Sequence, residues 1–239
     1  PYKFLYYDYN GNFLREKTSE AFYTEITRTT DNILAINSKV LEPKHYLSLL
    51  NEEDHRITVA KKIPLAFTYR GEFRCRGSYL LKSEHLYFTQ NGDYTIYSWD
   101  NNRIKPVVTV DFGKYSYNPT QLNEEPHAPA TRNKVLSIIN VKEIHSNLFF
   151  NTNKIGLFVY NKTRHQIVHA YGITNTNLGI VLHNSIATED THNEIVAFSY
   201  DMPILQRKLA GIASDNPVIK QIQNAKEDDN PLLFLYKSI

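Results

Sequence analysis

The stretch Tyr94–Gly113, YTIYSWDNNRIKPVVTVDFG, decides how the rest of the chain is read. Tyr94, Ile96 and Ser98 alternate with Thr95, Tyr97 and Trp99, the two-residue period of a strand with two different faces. Asp100-Asn101-Asn102 interrupts with side chains that favour turns. Val107–Val110 then resumes as a β-branched run, and Gly113 closes it. The stretch therefore reads as two strands joined by a polar turn.

Two more strands precede it. Ser78–Lys82 and His85–Gln90 flank Ser83-Glu84, and Asn91-Gly92-Asp93 leads into Tyr94–Trp99. With Lys105–Phe112 as the last member, this makes four short antiparallel strands in the repeat of a propeller blade, about 40–45 residues. The same reading finds Ala21–Thr27, Ile33–Asn37, His45–Leu50 and Arg56–Lys61 as an earlier set. Lys142–Phe150, Gly156–Tyr160 and Gln166–Tyr171 form a third set, and Gly179–Asn184 with Glu194–Tyr200 begin a fourth. Lys3–Tyr7 and Phe13–Glu16, joined by Asp8-Tyr9-Asn10-Gly11, read as the outer hairpin of a further blade.

Two segments depart from the repeat. Lys114–Val135 carries Pro119, Pro126 and Pro129 and reads as an inserted loop, with short helices near Pro119–Asn123 and Ala130–Leu136. Near the end the apolar period changes from two to three and four, predicting helices over Pro203–Gly211 and Asp215–Ala225, with Asp201 and Asp215 or Asn216 as caps. Pro231–Lys237 is a closing strand. The fold class is all-β: a single domain over residues 1–239, a β-propeller of four-stranded antiparallel blades, about four and a half blades of a six-bladed ring.

Composition narrows the function classes. Of 239 residues 41% are hydrophobic and 22% charged, which suits a globular chain, and 17 Tyr with 12 Phe favour strands. A net charge of +2 without a Lys/Arg block gives no basis for nucleic-acid binding. Cys75 is the one cysteine, so an intrachain disulfide and a cysteine-based zinc site are both excluded. No run of about 18 apolar residues predicts a membrane span. The chain opens on Pro1-Tyr2-Lys3, without a signal peptide or initiator Met, so residues are expected upstream.

Val107–Lys114 (VVTVDFGK), followed directly by the proline-containing insertion, resembles the bacterial six-bladed β-propeller proteins of the uncharacterised, mostly exported lipoprotein type. Phe4–Leu14 (FLYYDYNGNFL) is similar to that family's recurring hairpin, Tyr160–Arg164 (YNKTR) to its late hairpin turn, and Glu227–Lys237 (EDDNPLLFLYK) to its closing strand. The family's early glycine-rich blades have no counterpart, as in an N-terminally truncated chain. The resemblance implies a location at the cell envelope or outside the cell, carried by a lipidated N-terminus absent from this sequence. It implies no established reaction and hence no catalytic residues.

Motifs for chemistry are sparse. Asp8–Asn12 has oxygen donors, but Gly11 falls too early and Glu16 too close for an EF-hand calcium loop, so a hairpin turn is the reading. Nine His are scattered, none in H-E-x-x-H, and no G-x-S-x-G elbow, P-loop or dinucleotide fingerprint occurs. Trp99 and the tyrosines are assigned to packing between blades rather than to sugar stacking. Glu143 with His145, and His192 with Glu194, fall on or beside candidate inner strands, which line a propeller's channel; these four are the candidate ligand-binding residues. No metal or other cofactor is expected. The features favour a ligand-binding or scaffold module at the cell envelope, its partner a small molecule, a glycan or a protein. The alternative is a lyase or hydrolase acting on glycans or peptides in the channel.

Overall fold

The computed structural model describes residues 2–19, 23, 25–29, 32–36, 47–51, 57–61, 80–82, 85–90, 93–100, 103–117, 133–154, 156–182, 186–187, 195–226, 229 and 232–237. They fall into two compact units, one of Pro1–Arg74 with Tyr117–Asn133 and one of Cys75–Ser116 with Lys134–Ile239.

The first unit opens on a hairpin, β1 (Tyr2–Tyr7) and β2 (Phe13–Ser19). Its turn is built by Asp8. The carboxylate accepts the backbone N–H of Asn10 and Asn12 and the side-chain amide of Asn12, at 2.9, 2.8 and 2.9 Å, while Gly11 takes φ +82°. These hydrogen bonds, that from the Asn12 side chain foremost, hold the Asp8 carboxyl below its usual range. The loop is thus an Asx turn whose oxygens are engaged internally. A four-stranded antiparallel meander follows: β3 (Glu25–Arg28), β4 (Asn32–Ile36), β5 (Leu47–Asn51) and β6 (Ile57–Lys61). Ile33, Ala35 and Leu50 form its small core, with Phe4 stacked on Tyr23 at 5.9 Å beside them.

The second unit contains two further four-stranded sheets. The first is β7 (Leu80–Lys82), β8 (Leu86–Gln90), β9 (Asp93–Asp100) and β10 (Arg103–Thr109). The second is β11 (Ile138–Ile144), β12 (Asn147–Thr152), β13 (Leu157–Asn161) and β14 (Gln166–Ala170). Each is antiparallel with neighbouring strands consecutive in sequence. They pack through one core: Leu81, Tyr87, Ile96 and Val110 from the first meet Ile138, Val141, Leu148, Phe150 and Tyr160 from the second. Ile96, Ile138, Leu148 and Phe150 are fully buried, each contributing about 1.5–3 kcal/mol. Strand β11 is buried at every position because it is covered on both sides. A run of rings ties the sheets together: Tyr94 meets Phe112 edge-on at 5.1 Å, Phe112 meets Phe158 at 5.6 Å, and Phe158 stacks on Phe150 at 5.2 Å.

Beyond β14 lie β15 (Ile173–Asn175) and β16 (Ile180–Leu182), a two-stranded sheet. Then come β17 (Ile186–Ala187), β18 (Ile195–Tyr200), α1 (Met202–Leu209), α2 (Pro217–Asn224) and β19 (Leu232–Lys237). β18 is the middle strand between β17 and β19. Met202, Leu205 and Leu209 of α1 and Ile219 and Ile222 of α2 pack with Ile144, Leu157 and Leu178 into a second core. The helix ends are closed reciprocally. Gln223 donates to the carbonyls of Leu209 and Ile212, and Gln206 donates to those of Ile222 and Ala225. Among the described residues no helix is long and apolar enough to cross a membrane.

The four-strand reading around Tyr94–Gly113 holds, with strand ends shifted by one to three residues at the described positions. Two expectations are corrected. Lys142–Phe150 is not one strand: His145-Ser146 is a two-residue turn, with Ile144 paired to Asn147. His145 takes φ +53° there, a conformation more usual for Gly or Asn, so no turn signal stands in the sequence. Residues 133–136 are not helical; Val135 bridges Ser116, and Leu136 N–H donates to the Asn153 side chain. Of the two caps expected for α2, the structure takes Asn216, which accepts the Val218 N–H at 2.9 Å. The helix expected near Pro119–Asn123 lies outside the described residues.

Candidate functional site

Strand β11 reads IINVKEI, and its two adjacent charges point to opposite faces because strand side chains alternate. Glu143 faces the β7–β10 sheet, and its side chain is only 2% exposed. A carboxylate in such a position requires partners. Three are present. Tyr87 Oη–H donates to Oε2 at 2.7 Å, His85 Nδ1 lies 2.7 Å from the same oxygen, and the Lys162 ammonium pairs with Oε1. Tyr87 is on β8, His85 just precedes it, and Lys162 opens the β13–β14 turn. Glu143 therefore joins one sheet to the turn region of the other.

The elements fix this geometry in sequence. Antiparallel hairpins place the β7–β8, β9–β10, β11–β12 and β13–β14 turns at one end of the stacked sheets. Thr89 Oγ1 donates to the Ile138 carbonyl at 2.7 Å, and Tyr94 Oη to that of Val135 at 2.5 Å, both toward the other end. Lys162 N–H donates to the Ser146 carbonyl at 2.8 Å, linking the β11–β12 and β13–β14 turns directly. Asn161 braces the same corner: its amide donates to Asn147 Oδ1 at 2.8 Å, and its oxygen accepts the Arg164 N–H at 2.7 Å. His165, at φ +52°, places Nδ1 3.0 Å from Tyr160 Oη.

Burial distinguishes the groups. His85 and Lys162 are 49% and 32% exposed, so the rim presents an imidazole and an ammonium group above a buried carboxylate. Nearby, Asp100 pairs with Lys105 at 2.5 Å. The Lys105 hydrogen bond and charge, with a smaller contribution from His85, hold the Asp100 carboxyl below its usual range. Chemically, Glu143 has both oxygens engaged and serves to hold donors in place. Lys162 has three N–H donors, of which Glu143 takes one.

Of the residues predicted from sequence, Glu143 is the centre of this cluster. His145 is exposed at the turn that follows it. His192 and Glu194 lie outside the described residues. His85, Tyr87 and Lys162 were missed. The available signal was a Lys-Glu pair inside the otherwise apolar or amide-bearing run 138–144; its partners, 19 to 58 residues away, are not marked in the sequence. Among the described residues, no group of three or more His, Cys, Asp or Glu is placed to hold a metal ion.

A second polar network lies toward the other end of β11. Asn140, at φ +56° in a register shift between Ile139 and Lys142, donates to Asn151 Oδ1 at 3.5 Å. Asn151 in turn donates to the Gly156 carbonyl at 3.0 Å. A positive φ within a strand marks a bulge, a feature that re-aims side chains.

Four-stranded antiparallel sheets stacked on aromatic cores, with polar groups held between them, define a mostly β protein of repeated sheet units. The chain belongs to the family described as Domain of unknown function (DUF4934), whose model matches residues 1–237. A solved structure of a "Putative exported protein" from Bacteroides fragilis NCTC 9343 is similar in fold, with a TM-score of 0.63 at 15% identity. The match covers 99% of this chain and 72% of that one. No curated protein matches.

Proposed function

We propose that the protein is a ligand-binding module of a six-bladed β-propeller, exported to the bacterial cell envelope as a lipoprotein. The observation that carries this reading is the Glu143 cluster. A buried carboxylate on the first strand of a stacked sheet holds His85, Tyr87 and Lys162 at the rim of a sheet-to-sheet contact. In a propeller the first strand of each blade lines the channel, so β11 brings Glu143 and the turn residue His145 toward a shared mouth. The fold likeness to an exported protein supports the location.

Binding needs no reacting group here. Glu143 is saturated by its donors, which suits a residue that orients its neighbours. The test is a screen of cell-wall glycans, peptides and small metabolites by thermal shift, followed by titration of hits against Glu143→Gln and His85→Ala. A ligand whose affinity drops in both variants supports the reading. Hits that bind both variants as well as the parent chain place the site elsewhere and refute it.

A further inference from the structure

The Glu143 rim is basic as well as polar. The end of the two sheets that carries the β7–β8, β9–β10, β11–β12 and β13–β14 turns gathers Lys82, Arg103, Lys105, Lys162 and Arg164, with the buried Lys142 behind them, among the described residues. His85, His145 and His165 lie among them. The described carboxylates at this end are Asp100, taken by Lys105, and Glu143, buried beneath Lys162. Six Lys and Arg against these two carboxylates leave an excess of +4 among the described residues, and +3 once Glu84, between Lys82 and His85 in the sequence, is counted. The opposite end, with Lys114, Lys134 and Lys154 against Asp93 and Asp111, has an excess of +1 among the described residues. A whole-chain charge of +2 conceals this difference.

We infer that the rim around His85, His145 and Lys162 is a receptor site for an oxyanion-bearing ligand, one that presents a carboxylate or a phosphate. The inference rests on the binding-module reading and names the ligand class for that site. The physical basis is the arrangement of charge. Glu143 is nearly inaccessible, so it fixes Lys162 and His85 in position while its oxygens stay out of contact with an incoming ligand. The anchoring removes much of the side-chain freedom that a surface lysine would lose on binding, which favours capture of a ligand. The outlying Lys82, Arg103 and Arg164 add long-range attraction that salt screens within about 10 Å at 0.1 M. His145, held at φ +53° on the neighbouring turn, adds a further donor beside the Lys162–Ser146 contact.

The experiment is calorimetric titration of the full chain with three probes: trigalacturonate, inorganic phosphate and the neutral galactose trisaccharide. Each is run at 50 and 300 mM salt. At least one anionic probe is expected to bind, more weakly at high salt, and to exceed the neutral sugar. Which anion binds distinguishes a carboxylate from a phosphate receptor. Lys162→Met is expected to weaken binding about tenfold or more, as loss of a charge-assisted hydrogen bond does. The double variant Lys82→Ala, Arg164→Ala lies outside the buried cluster and keeps the test valid if Lys162→Met fails to fold; it is expected to weaken binding about threefold and flatten the salt dependence. Failure of both anions to bind, or anion binding unchanged in these variants, overturns the inference. If the neutral sugar binds as well as trigalacturonate and is lost in His85→Ala, the binding-module reading stands and the anion preference falls.

Discussion

Replacing Lys162 by Met tests whether Glu143 is held by its partners in the way the geometry requires. Removing one partner of a fully buried ion pair costs about 3–5 kcal/mol, because the other charge is left buried without compensation. Here the carboxylate is 2% exposed, but Lys162 is 32% exposed and Tyr87 and His85 remain bonded to Oε2. Solvent screening of the lysine and the two surviving donors reduce the cost to about 2 kcal/mol. For a unit of this size that corresponds to a loss of about 4–8 °C in Tm. Glu143→Gln removes the charge and keeps an acceptor for Tyr87, so its cost is about 1–2 kcal/mol. The two residues touch, so the double variant is expected to be more stable than the sum of the single losses predicts, with a coupling of about 1–2 kcal/mol. Calorimetry and urea unfolding of the four proteins measure the cycle. A loss below about 0.5 kcal/mol for Lys162→Met, with no coupling to Glu143→Gln, would refute the argument, since Glu143 would then be compensated without its cation.

Three further outcomes follow from other parts of the structure. Gly156→Ala is expected to cost about 2–4 kcal/mol by urea unfolding, from strain and from displacing a stacked ring. Its φ is +131°, and a Cβ would lie 2.1 Å from His169 Nε2, the ring that stacks on Phe158 at 4.3 Å; His169→Ala in the same chain should relieve only the clash. Tyr97 has its phenol pushed up to about 12, from an ordinary value of 10.0, by burial and then by its hydrogen bond to Asp93. The folded state keeps that proton when the unfolded chain has lost it, so stability falls as pH rises from about 10 to 12. Tyr97→Phe should remove one late-titrating tyrosine from the ultraviolet titration and flatten that fall. Asn216→Ala is expected to lose about 1 kcal/mol, seen as faster amide exchange in α2, since the side chain both caps Val218 and donates to the Asn177 carbonyl at 2.9 Å.

The sequence by itself determined the local elements. Alternation in Tyr94–Trp99, the Asp100–Asn102 break and the β-branched run after it led to β9 and β10, because a strand's period and a turn's chemistry are set by neighbours in the chain. The same holds for the β1–β2 hairpin, where Asp8 satisfies its own loop, and for the two helices, whose apolar spacing matches the side they bury. Where local chemistry gave no mark, the reading failed. His145-Ser146 turns without Gly, Asn or Asp because the pairing of β11 with β12 on a buried core outweighs the cost of a positive φ at His145. Only the tertiary structure decided the site. Glu143 was legible as a charge in an apolar run, yet what it does depends on which side chains the stacked sheets bring to it. His85, Tyr87 and Lys162 reach Glu143 across 58, 56 and 19 residues of sequence, and no periodicity records such distances. The charge of the rim has the same origin: turns distant in the chain share one end of the stack because antiparallel strands return there.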